Sequence, residues 1–123
     1  MTSGQSEKNV DYSEEEIEMA FEYFVHKAQE IYDEYMENNF PSLSKNILSV
    51  DNGSKYWKVV SEGTGDEEGR RHVYGFVRKS DGAIFRAASW SAPQTKGKNA
   101  VRALVTDEWA TGVLTPHGIA YSE

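Results

Sequence analysis

Apolar residues recur at Ile17, Phe21, Phe24, Ala28, Ile31 and Tyr35, in alternating steps of four and three. That spacing marks one face of an α-helix. Ser13 followed by Glu16 is a capping box: the hydroxyl accepts the Glu16 amide while the carboxylate reaches back to the Ser13 amide. Glu14, Glu15 and Glu16 occupy the first turn, where the helix dipole favours anions. Asn38, Asn39 and Pro41 stop the run, because proline cannot continue a helix and restricts the residue before it. The pattern predicts a helix over residues 13–38, about 37 Å long at 1.5 Å per residue.

From residue 46 the period switches to two. Residues 47–50 and 55–61 flank Asp51-Asn52-Gly53-Ser54, and Asn-Gly is a strong hairpin signal because both residues tolerate positive φ. An acidic, glycine-rich loop follows over 62–69. Residues 71–79 then alternate His72, Tyr74, Phe76 and Arg78 on one face with Val73, Gly75 and Val77 on the other. Ser80-Asp81-Gly82 makes a second tight turn, and 83–90 reads as the returning strand. Beyond Trp90 comes a loop, Asn99 is placed to cap a short helix over 100–105, and 119–121 reads as a last short strand. The expected architecture is α+β: one long N-terminal helix packed on an antiparallel meander of four to five strands. Residues 1–10 are polar and unpatterned and are expected to be a disordered tail, with 11–123 forming one domain.

Composition narrows the class. At 123 residues the chain suits one domain with one core. It has no cysteine, which removes disulfides, thiolate metal sites and cysteine nucleophiles. No apolar run approaches the ~18 residues of a membrane span, and the first ten residues lack the apolar stretch of a secretory signal. The expected location is the cytoplasm.

Charge is sorted along the chain. The net charge is −7, yet residues 69–106 carry Arg70, Arg71, Arg78, Lys79, Arg86, Lys96, Lys98 and Arg102 against Asp81 alone. Overall acidity argues against duplex DNA as a partner, since that requires many phosphate neutralisations. A local basic segment still suits a small phosphorylated ligand. It equally suits a segment facing the acidic helix or water.

Most catalytic chemistry is missing. His26, His72 and His117 lie on the helix, a strand and the tail, with no metal-ligand spacing among them. No nucleophile elbow or Ser/His/Asp grouping stands out. Lys96-Gly97-Lys98-Asn99 resembles the end of a phosphate-binding loop, but Ala92 stands where that pattern needs glycine and Asn99 where it needs Ser or Thr. No enzyme activity, cofactor or metal is expected.

An anion site is what remains. The 90s loop carries Lys96 and Lys98 into the expected helix start, where backbone amides favour phosphate. Arg78, Arg86 and Arg102 are the expected phosphate ligands, Lys98 an accessory charge, and Phe85 or Trp90 the stacking surface for a base. The alternative places these aromatics in the sheet core. Tyr23, Tyr32 and Met36 fall off the main helical stripe and suit a homo-oligomer interface.

Residues 79–93, with Ala88-Ser89-Trp90-Ser91-Ala92-Pro93 followed by Lys96, Lys98, Asn99 and Arg102, resemble a stretch of short tailed-bacteriophage proteins, marine cyanophages among them. There an Ala-Ser-Trp-x-x-Pro motif follows a Gly/Asp turn and a strand. A weaker similarity, in size, element order and arginine/aromatic content, is to phage Thoeris anti-defence sponge proteins. That likeness implies a non-enzymatic oligomer sequestering a cyclic ADP-ribose-type signal in the host cytoplasm, and it carries no site residue over. The other reading is an interaction protein with no small-molecule ligand.

Overall fold

The computed structural model describes residues 11–120. The tail expected at 1–10 and the last residue of the strand expected over 119–121 lie outside the described residues. Helix α1 (Glu14–Asn39) opens with the expected capping box: the Glu16 N–H donates to Ser13 Oγ at 3.1 Å and the Ser13 N–H to Glu16 Oε1 at 2.8 Å. It closes where the Phe40 N–H reaches the Met36 carbonyl, one residue before Pro41. Ile17, Phe21, Phe24 and Ala28 are buried, and Ile31 and Tyr35 half-buried, so the stripe read from the sequence is the packed face.

Five strands pair antiparallel in chain order: β1 (Ile47–Asn52), β2 (Tyr56–Glu62), β3 (Arg71–Arg78), β4 (Ala83–Phe85) and β5 (Ala103–Leu104). Two more, β6 (Leu114–Thr115) and β7 (Gly118–Ile119), form a separate hairpin. The result is the expected α+β arrangement. Two expected elements differ. The strand over 83–90 stops at Phe85, after which Ala87 bridges only Pro93. The helix over 100–105 does not form, and the stretch supplies β5 instead. There the Arg102 and Val105 N–H groups donate to the Ile84 and Gly82 carbonyls, which would otherwise be unpaired on the open edge of β4.

Both faces of the sheet are covered. On one, α1 packs against Val59, Val77 and Ile84, with Val113, Leu114 and Ile119 of the tail completing the cluster. Phe21 stacks flat on Trp57, centroids 4.2 Å apart. On the other face, Phe76, Ala83 and Phe85 pack with Tyr56, Val73, Leu104 and the loop residues Ala87 and Ala100. The outer edge of β1 is braced by Gln29 of α1. Its amide donates to the Asn46 carbonyl at 3.0 Å and accepts from the Leu48 N–H at 2.7 Å, reproducing the bonds of a neighbouring strand.

A bulge corrects the alternation expected in β3. Val59 opposes Gly75 and Val60 opposes Val73, which leaves Tyr74 without a partner. Tyr74 therefore leaves the face of Phe76 and joins the helix-side core, where its O–H donates to the Thr115 carbonyl at 2.7 Å. Burial pushes the Tyr74 phenol up from its ordinary pKa, so it stays a donor. Gly75 beside it has to be glycine: a Cβ would stand 2.6 Å from Ile119 Cγ1 and 3.2 Å from the Phe85 carbonyl oxygen.

Gly75→Ala is expected to destabilise the fold by about 1–3 kcal/mol, the usual cost of overpacking. In an Ile119→Ala background that cost should shrink, because the nearest clashing atom is gone. Urea denaturation of the four proteins measures the coupling; equal costs in both backgrounds would show that Ile119 is not what Gly75 accommodates.

Candidate functional site

Arg86 follows Phe85 at the end of β4 and, by strand alternation, turns away from the Phe85 side toward the tail. Its Nε donates to the Ile119 carbonyl at 3.2 Å. Arg102, entering β5, donates from Nε to the Ala120 carbonyl at 3.2 Å and from Nη1 to the Asn99 carbonyl at 3.1 Å. These two arginines, with Gln94, Lys96 and Lys98 of the loop, line a pocket of about 330 Å³. Among the described residues no carboxylate lines it. Among the described residues, Lys96, Lys98 and Arg102 make no ion pair.

The other expected site residues stand elsewhere. Arg78 is clasped by Asp81, with Nη2 to Oδ2 at 2.8 Å and Nε to Oδ1 at 3.1 Å, while Asp81 Oδ1 also accepts the Ala83 N–H. This clasp closes the turn between β3 and β4, and the Arg78 guanidinium lies 5.2 Å from the Phe85 ring centroid. Phe85 is 2% exposed, so its ring belongs to the core and offers no face to a ligand. Trp90 is 44% exposed but sits under Lys58, whose Nζ is 3.7 Å from the ring centroid, with Arg71 at 5.2 Å. The structure thus brings together Arg86, Lys98 and Arg102, adds Lys96 and Gln94, and separates Arg78, Phe85 and Trp90 from them. The phosphate site at a helix start is replaced by a loop, and Asn99 contributes its carbonyl instead of a cap.

Several basic residues pair away from the acidic helix. Arg70 pairs with Glu67, Arg71 with Asp51 and Glu62, and Arg78 with Asp81. Helix acids Glu30 and Glu37 are met by His26, Lys27 and Lys45 instead. Of the expected interface residues, Met36 is buried and the Tyr32 hydroxyl accepts the Asn46 N–H, while Tyr23 is 59% exposed. Among the described residues there is no group of three or more His, Asp or Glu placed to hold a metal, and no helix long and apolar enough to cross a membrane.

A family model described as a family of unknown function, DUF7717, matches residues 3–113, and the chain belongs to that family. No curated protein and no solved structure matches it.

The Arg78–Asp81 clasp has a pH signature. Its guanidinium holds the Asp81 carboxyl below the usual carboxylate range, against the opposing effect of burial. A depressed folded value stabilises the protein above the unfolded value, about pH 4, and that contribution is lost as pH falls through the lower folded value. Asp81→Asn should therefore be less stable than the parent at neutral pH and lose less stability between about pH 5 and about pH 3. Urea titrations at both pH values check this; identical acid dependence in the two proteins would remove Asp81 from the account.

Proposed function

We propose that this member of DUF7717 is a non-enzymatic binding protein for a small phosphorylated anion, held by Lys96, Lys98 and Arg102 with Arg86 in the pocket wall. One observation carries the reading: Lys96, Lys98 and Arg102, which make no ion pair among the described residues, converge with Arg86 on a pocket that no described carboxylate lines. An anionic ligand relieves their mutual repulsion, and guanidinium forks suit phosphate oxygens. At about 330 Å³ the pocket is at the small end of ligand sites, which span about 300–1,000 Å³, and it fits a phosphorylated metabolite or mononucleotide. Among the described residues no aromatic ring lines it, and its cationic side chains suit the phosphate part of such a ligand. A nucleotide or cyclic-nucleotide signal falls in this class. Sequestering it in a host cytoplasm is the role that the resemblance to phage proteins would give such a pocket.

A second reading rests on a different observation. Met19 and Tyr23, one turn apart on the outward side of α1, are 69% and 59% exposed, the kind of residues that enrich interfaces. They suit an interaction protein that self-associates. The expected result is a species larger than 13.9 kDa in sedimentation that Tyr23→Glu returns to the monomer. A monomer alone at high protein concentration would remove this reading.

For the binding reading, calorimetry at low salt with pyrophosphate, ADP and cyclic nucleotides is the direct test. Removing both exposed lysines, Lys96→Ala with Lys98→Ala, should weaken the bound member about tenfold, equivalent to about 1.4 kcal/mol. Affinity should also fall with added salt. If none of the probes binds, or binding is indifferent to the lysines, the interaction reading takes its place.

A further inference from the structure

We infer that the cleft between α1, strands β2 and β3 and the β6–β7 turn is a separate site for an uncharged planar heterocycle of the nucleobase class. The cleft measures about 290 Å³ and is lined by Tyr32, Asn46, Ser61, His72 and His117, with Val73, Tyr74 and Pro116 as apolar wall. Among the described residues no Lys, Arg, Asp or Glu lines it, although charged residues make up 27% of the chain. A charged ligand would find none of these four side chains there as a counter-charge. An uncharged one meets a balanced set of donors and acceptors.

The polar atoms are arranged around Asn46. Its backbone N–H donates to the Tyr32 hydroxyl at 3.0 Å, and its side-chain Nδ2 donates to Ser61 Oγ at 2.9 Å. Each hydroxyl is thereby used as an acceptor within the protein, and each retains its own proton to donate. The Asn46 carboxamide oxygen is an acceptor beside them. Donors and acceptors at hydrogen-bonding spacing, without net charge, are what the edge of a nucleobase pairs with. The imidazoles of His72 and His117 are in the lining, and bases stack on histidine as on other aromatic side chains. The His117 and Tyr35 rings form a T-shaped pair, with centroids 5.1 Å apart and planes at 82°. Among the described residues the cleft shares no lining residue with the basic pocket, so this inference stands apart from the phosphate reading.

The test is an NMR titration of the full chain with adenosine and with uridine, nucleosides that carry no phosphate. The expected result is saturable shifts at the His72 and His117 ring protons and the Asn46 side-chain amide with at least one nucleoside. His117→Ala should weaken that binding by about fivefold or more, the scale of one lost stacking contact. His72→Ala is the companion variant should the first disturb the β6–β7 turn. Lys96→Ala with Lys98→Ala should leave the nucleoside affinity unchanged, which separates this site from the phosphate pocket whether or not that pocket binds. A short single-stranded oligonucleotide of the same base, shifting the same groups at lower concentration, would identify a base in a strand as the source. Weaker or equal binding would identify the free nucleoside. Absence of saturable shifts with both nucleosides, or full affinity retained in both histidine variants, overturns the inference.

Discussion

The bulge at Tyr74 is the constraint from which the rest of the molecule follows. One unpaired residue in β3 sends the phenol to the helix side, where it binds the Thr115 carbonyl, and sets Gly75 directly under Ile119. The tail hairpin is thereby fixed against the sheet at two points, one polar and one steric. Once it is fixed, the carbonyls of Ile119 and Ala120 stand where Arg86 and Arg102 can donate to them. The turn of the same hairpin brings Pro116 and His117 to the cleft beside Tyr32. A single extra residue in one strand therefore organises the basic pocket and the uncharged cleft on one small hairpin. Bulges commonly occur where a side chain must be re-aimed, and here both the basic pocket and the cleft adjoin the hairpin that the re-aimed Tyr74 holds.

The loop that carries Lys96 and Lys98 is held in a complementary way. It lies over the sheet face opposite α1, pinned by the Ala87–Pro93 bridge and by Trp90 beneath Lys58 and Arg71. Stacking of a cation on an indole contributes about 0.5–1 kcal/mol at such an exposed position. Arg71 is also tied to Asp51 and Glu62, so the indole rests on a cation that is itself anchored. Trp90 thus works as a clamp on the loop. Its exposure, which suggests a stacking surface for a ligand, accompanies a role in placing the lysines.

What was legible in the sequence was local. The Ser13–Glu16 box, the Asn52-Gly53 turn and the Ser80-Asp81-Gly82 turn each declare themselves within a few residues, and the helix stripe repeats often enough to be unmistakable. What was not legible depends on contacts far apart in the chain. Nothing near Tyr74 announces a bulge, because it is fixed by the register with β2 and by Ile119, more than forty residues on. The stretch over 100–105 follows a plausible helix cap, yet Ala103 and Val105 are buried on alternate positions and the open edge of β4 claims their backbone. The period of two was present there in Val101, Ala103 and Val105, masked by the cap signal. For the site, a run of bases could be read but not which side of the sheet each would take. Arg78 shares its side with the Phe85 ring, whereas Arg86, one residue beyond Phe85, takes the opposite side.

How an acidic protein keeps a cationic pocket follows from what anchors its arginines. Most exposed guanidinium groups are positioned by carboxylates, as Arg71 and Arg78 are here, and their charge is cancelled in the same act. Arg102 is positioned by backbone carbonyls, which orient the guanidinium through a dipole, and it makes no ion pair among the described residues, while Arg86 likewise donates to a carbonyl. Charges separated by more than a Debye length, about 8 Å at physiological salt, are largely screened from one another. Net charge therefore says little about such a pocket. The local rule decides: anchoring by a backbone carbonyl brings no formal negative charge with it, as at Arg102.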